Sequence, residues 1–245
     1  MTTRATPALR GLPPGIEFTR WTTPGTALLL ALAVIAFWPA YLRDPIGLGR
    51  FYMHLHAVTG TLWFALVLVQ PILLRLGRRD AHRRLGQVSW VLGPVVILAM
   101  VFASHAFQEV MMENGGRPGP HVFWLQAWLA VLFALFWAGA MLRRRDRIVH
   151  PRLMVATVFT FVDPVIARIA GMQFGLPGQL VSFACLDLAL LALIVLEWRT
   201  PRARRLWLLV GAIFLAFEIP LLLGAAGSDL WLGVTRAWLA LPLTP

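Results

Sequence analysis

An all-α bundle that crosses a membrane about seven times is the fold this sequence predicts, and three observations predict it. Charged residues make up 13% of the 245 residues and hydrophobic ones 59%, against about 25% charged in a soluble domain. Apolar runs of about 20 residues, the length that crosses a bilayer as a helix, recur along the chain. Basic residues gather at alternate ends of those runs. In lipid every backbone polar group must bond within its own segment, so helices follow. The short alternating strands of a membrane barrel are not visible.

Taken in order, residues 1–25 read as a cytoplasmic tail. Pro7, Pro13, Pro14 and Pro24 break it, and it holds no apolar core of the kind a cleaved signal needs. A single transmembrane domain, residues 26–225, follows. Its expected spans are Thr26–Leu42, Phe51–Leu76, Leu85–Phe107, His121–Leu142, Pro151–Met172, Pro177–Trp198 and Arg205–Leu223. Residues 226–245 are too short and broken to cross. They are expected to lie at the periplasmic interface, anchored by Trp231 and Trp238.

Arginine sets the direction. All 22 basic residues are Arg, for a net charge of +11. They cluster in the tail and in the links after spans two, four and six, which share one side. The opposite loops and the C-terminal segment hold only Arg43, Arg50, Arg117 and Arg236. The positive-inside rule makes the basic side cytoplasmic, with the N-terminus in and the C-terminus out. Topology thus accounts for the basicity, and nucleic acid is rejected as a partner. The Lys-free usage points to a bacterial inner membrane. The single cysteine, Cys185, excludes an intramolecular disulfide and Cys-based metal clusters.

Two stretches repeat. One begins at His56 and runs through "GRRDAHRRLG" to His82 and beyond. The other begins at His121 and runs through "RRRDRIVHPRLM" past His150. The His–His spacings are 26 and 29 residues. Spans two–three and four–five therefore read as two parallel hairpins forming a central four-helix core. In it His56 would face His121 near the outer leaflet, and His82 would face His150 near the inner one. His54 and His56 lie about 200° apart on a helix, so both cannot face one site. His56 shares a stripe with Gly60, Trp63 and Gln70 and is the better inward candidate. His82 and His150 equally suit anchoring at lipid phosphates beside Arg.

Two histidines from facing helices can supply both axial bonds of a b-type haem. With that arrangement the core resembles the transmembrane di-haem b-type cytochromes of the ascorbate-reducible kind. The resemblance implies His56 and His121 as outer axial ligands, His82 and His150 as inner ones, and electron transfer across the membrane with a quinone or other redox partner. The pattern "HLHAVTG...Q...HRRLG", from His54 to Gly86, also resembles a family of uncharacterised bacterial multi-pass membrane proteins, which implies no particular activity.

A second constellation competes. Asp163, Asp187 and Glu218 fall within spans five, six and seven, in their middle or outer parts, with Arg168 on span five. Pro164 and Pro220 adjoin two of the acids and are expected to kink their helices. His56, His105 and His121 could join the acids in an outer-half site for Zn or Fe, hence a metal-dependent membrane enzyme. Alternatively the acids relay protons in a proton-coupled transporter. The bland alternative pairs Arg168 with one acid and leaves the rest protonated. The lipid bilayer is the one partner common to every reading.

Overall fold

The computed structural model describes residues 18–43, 51–113 and 119–243. The tail up to residue 17, with Arg4 and Arg10, lies outside them, as do Arg50 and Arg117. Among the described residues there are helices and no strands. Their order is α1 (Thr19–Phe37), α2 (Phe51–Arg75), α3 (Arg79–Gln87), α4 (Ser89–Glu113), α5 (Pro120–Leu142), α6 (Val149–Phe159), α7 (Val162–Arg168), α8 (Gly178–Leu196), α9 (Pro201–Leu222) and α10 (Asp229–Leu239). Wide π-type turns follow α1 and α7, at Trp38–Leu42 and Ile169–Gln173. Among the described residues seven spans are long and apolar enough to cross a bilayer, counting α6, α7 and the second wide turn as one.

Four of these spans surround an aromatic centre. Helix α2 packs on α4, α4 on α5 and α5 on α6. The fully buried Trp63 of α2 donates its indole N–H to Thr157 Oγ1 of α6 at 2.9 Å. Its ring meets Phe133 of α5 edge-on at 4.9 Å, and Phe133 meets Phe161 at 6.1 Å. Between helices in lipid, such packing and hydrogen bonding replace the hydrophobic effect as the source of cohesion. Helices α1, α8 and α9 flank this core, α1 against α2 and α7, α8 against α7 and α9.

Close approach depends on two glycines. A Cβ on Gly93 of α4 would stand 2.3 Å from Trp137 Nε1, so the indole lies directly on the α4 backbone and donates to Ser89 O at 3.2 Å. A Cβ on Gly178 would stand 2.3 Å from the Ala167 carbonyl oxygen, so α8 begins against the backbone of α7.

The basic segments meet at one end of the bundle. Arg75 donates to Thr19 Oγ1 at 2.8 Å, Arg144 covers the Trp90 ring, Arg152 covers Phe18, and Arg202 pairs with Asp146. The opposite end carries α10. Ser228 caps this helix by accepting from the Trp231 amide at 3.4 Å, and Gly224 (φ 87°) lets the chain leave α9 in the left-handed region. The indoles assigned by sequence to the lipid interface also pack on protein. Trp231 and Trp238 both stack on Phe123, and Trp231 Nε1 donates to Pro120 O at 2.8 Å.

Three boundaries differ from expectation. Helix α1 starts at Thr19, with Pro24 inside it. The third span does not begin at Leu85. The polar stretch Arg79–Gln87 forms the separate helix α3, which buries no residue, and α4 then runs on to Glu113. The fifth span breaks at Thr160–Phe161. Pro164 has no N–H for the Thr160 carbonyl and its ring crowds that carbonyl, so the expected kink falls one turn before the proline. Pro220 sits near the end of α9, which continues past it to Leu222.

Candidate functional site

The break in the fifth span places Asp163 in the first turn of α7, where it is 5% exposed. Two side chains at the start of α8 turn toward it. Gln179 Nε2 and Ser182 Oγ donate to Asp163 Oδ1 at 2.6 and 2.5 Å. They sit three residues apart, on one helix face, and the Gly178 contact brings that face up to α7. Glu218 stands within electrostatic reach of both Asp163 and Asp187, and His121, at the exposed start of α5, within reach of Asp163. Glu218 is 2% exposed, and its Oε1 has no hydrogen-bond partner among the described residues. Four of the expected outer-half residues, Asp163, Asp187, Glu218 and His121, are therefore brought together.

The other three go elsewhere. His105 is buried on α4, with Nδ1 3.6 Å from Glu109 Oε1 and its ring edge-on to Trp238. Arg168 stacks over Phe37 at 4.7 Å and reaches Met172, so its charge is turned toward α1. Among the described residues Arg168 forms no ion pair with Asp163, Asp187 or Glu218. The end of α1 and the end of α7 thus lie together, each running on into a wide turn. His56 lies on the stripe with the buried Gly60 and Trp63, and its Nδ1 is enclosed with no partner among the described residues. His54, two positions earlier, has its Nδ1 2.5 Å from the Tyr41 hydroxyl. Among the described residues no three His, Cys, Asp or Glu side chains are grouped to hold a metal ion.

At the basic end the structure resolves the repeated histidine turns. His82 lies on α3, before the third span and outside all seven. Gln70, near the end of α2, reaches it. The Gln70 oxygen accepts from the Gly86 amide at 2.9 Å, and its nitrogen donates to His82 O at 3.2 Å and to His82 Nδ1. The two backbone groups fix which way the amide points. His82 Nδ1 is then an acceptor, and the ring proton sits on Nε2. His150 has the opposite arrangement. Its Nδ1 lies 2.9 Å from the Ala140 carbonyl, which can only accept, so Nδ1 carries the proton and Nε2 the lone pair. The two rings are in electrostatic reach. Burial, and after it the neighbouring His150, holds the His82 imidazole below its ordinary value, against the Gln70 backbone, which raises it.

A buried ion pair near these turns was not foreseen. Arg152 is 1% exposed. Its Nε donates to Glu197 Oε2 at 2.7 Å, its Nη2 pairs with Glu197 Oε1, and its Nη1 donates to Ile148 O at 2.7 Å. Trp207 Nε1 donates to the same Glu197 Oε2 at 2.6 Å. By sequence Arg152 counted as one more topology arginine. The signal available was Glu197, an acid at the end of an apolar run and beside an arginine-rich link.

No known protein family, curated protein or solved structure matches the chain.

Proposed function

We propose that the protein is a proton-coupled membrane transporter whose protonation site is the cluster of Asp163, Glu218 and Asp187. One observation carries this reading. Glu218 is buried within a span, has an oxygen without a partner among the described residues, and lies within electrostatic reach of two further carboxyls. Like charges sharing a dry site do not all ionise together, and a lone ionised carboxylate in lipid is costly. The nearby arginine, Arg168, is committed to Phe37. A proton taken up or released by one acid therefore changes the charge felt by the others. Gln179 and Ser182 hold Asp163 while this happens, and the broken fifth span resembles the interrupted helices of transport sites.

The test is charge movement on a solid-supported membrane carrying the purified protein. A pH step should give a transient current in the wild type. The current should be lost in Glu218→Gln and strongly reduced in Asp163→Asn. An undiminished current in the double variant refutes the proposal.

A redox role has one supporting observation. His150 donates through Nδ1 and keeps Nε2 free, which is how metal-bound histidines are commonly oriented. Gln70 works against the matching ligand, because it leaves His82 Nε2 protonated. The absorption spectrum of protein expressed with haem supply decides. A Soret band lost in His150→Ala supports the redox role, and no band ends it.

A further inference from the structure

Three helix ends meet around the carboxyl cluster, and one of them carries an exposed histidine. Asp163 lies level with the first turn of α8, since Gln179 and Ser182 of that turn both donate to it. Glu218 lies one turn before the end of α9 at Leu222. His121 stands in the first turn of α5 and is exposed. It shares a helix face with Trp124 and Trp128. Trp124 Nε1 donates to Phe217 O at 3.4 Å, and the Trp128 ring meets Phe217 at 6.5 Å. That face of α5 is therefore the one turned toward α9 beside Glu218. The helices packed on this end of α5 bring other titratable or charged side chains, His105, Glu109 and Glu113 on α4 and Asp229 and Arg236 on α10. Of these and His121, only His121 is in electrostatic reach of Asp163. Gln179 and Ser182 both use Asp163 Oδ1, and among the described residues nothing donates to Oδ2.

We propose that His121 is the proton port of the carboxyl cluster. Its ring takes a proton from the water at the end of the bundle that carries α10 and passes it to Asp163 Oδ2. The carboxylate becomes a carboxylic acid and the ring returns to neutral. The inference rests on the reading of the cluster as a protonation site. An imidazole suits the step, because histidines accept and release protons near neutral pH and chains of histidine and acid relay protons within membranes.

Proteoliposomes of the full chain, given protons by a laser flash on a caged acid, test it. Infrared spectroscopy follows the carbonyl band of protonated carboxyls, and the part of it lost in Asp163→Asn belongs to the cluster. In His121→Ala and in His121→Gln that band should reach its wild-type size but rise at least about tenfold more slowly. Added imidazole should restore the fast rise in His121→Ala and leave the wild type unchanged. A wild-type rise in both variants overturns this inference alone. So does a slow rise that imidazole leaves slow, or a smaller band with an unaltered rise, which a merely structural role gives. Absence of the Asp163-dependent band in the wild type ends the parent reading, and the port with it.

Discussion

Replacing Glu197 by Gln removes one charge and almost no volume. Arg152 would keep its bond to Ile148 O, and Trp207 would keep an oxygen to donate to. What is lost is the countercharge of a guanidinium that is 1% exposed. Breaking a buried pair by one partner costs about 3–5 kcal/mol, whereas replacing both partners with apolar side chains is often near neutral. The site lies at the bundle's basic end, where water is close, so the lower figure, about 3 kcal/mol, is expected for Glu197→Gln. The double variant Arg152→Met/Glu197→Leu leaves the Trp207 N–H unpaired and takes the arginine donor from Ile148 O, where water is close, together at about 1–2 kcal/mol. Titration with a denaturing detergent, followed by circular dichroism, measures both. The double variant should be more stable than Glu197→Gln alone. A loss below about 0.5 kcal/mol in the single variant, or a double variant as unstable as the summed singles, refutes the reasoning.

Other outcomes follow from the same geometry. Gly93→Ala places a methyl group inside the Trp137 ring contact and should cost about 1–3 kcal/mol, read in the same titration. Gly178→Ala forces α8 off the Ala167 carbonyl and should weaken the Gln179 and Ser182 contacts to Asp163, so the pH-step current should fall while the chain still inserts. Asp146 accepts from the Ile148 and Val149 amides and pairs with Arg202, which together hold its carboxyl below the ordinary value despite some opposition from burial. Its folded value is depressed, so its stabilising contribution is present above about pH 3.8 and fades as pH falls through the lower folded value. Stability of Asp146→Asn should be flatter with pH in that range. His82 is also depressed when folded, so stability should decline as pH falls below 6.5, where the unfolded ring takes up a proton first. His82→Gln should flatten that decline in the same thermal or detergent unfolding measured across pH.

The spans were legible because length and composition alone decide what crosses lipid. The same logic misread residues whose surroundings come from another helix. Arg152 and Arg202 look alike in sequence, yet one is buried on Glu197 and the other is an exposed partner of Asp146. Pro164 announced the break in the fifth span, since a missing N–H acts locally. Rise per residue put the acids at similar depths in their spans, and the structure brings Glu218 within electrostatic reach of the other two. That Gln179 and Ser182 hold Asp163 depends on how closely α8 approaches α7, and Gly178 hints at that only once the contact is seen. Arg168 was the natural partner for an acid by proximity in sequence, but the packing of α7 on α1 puts it over Phe37. The stripe of His56, Gly60 and Trp63 held as an inward face, whereas Gln70 at its end was claimed by the histidine turn.

The Arg152–Glu197 pair also sets an order of assembly. During synthesis α6 leaves the ribosome well before α8, so Arg152 reaches the bilayer edge with no carboxylate to meet. Its long side chain can hold the charge at the headgroups meanwhile. Only when α8 has inserted does Glu197 arrive, and only with α9 does the Trp207 indole follow. The first spans can thus settle on one another while the guanidinium is still in water. The last two draw it inward and fasten the late-made part of the chain to the early one.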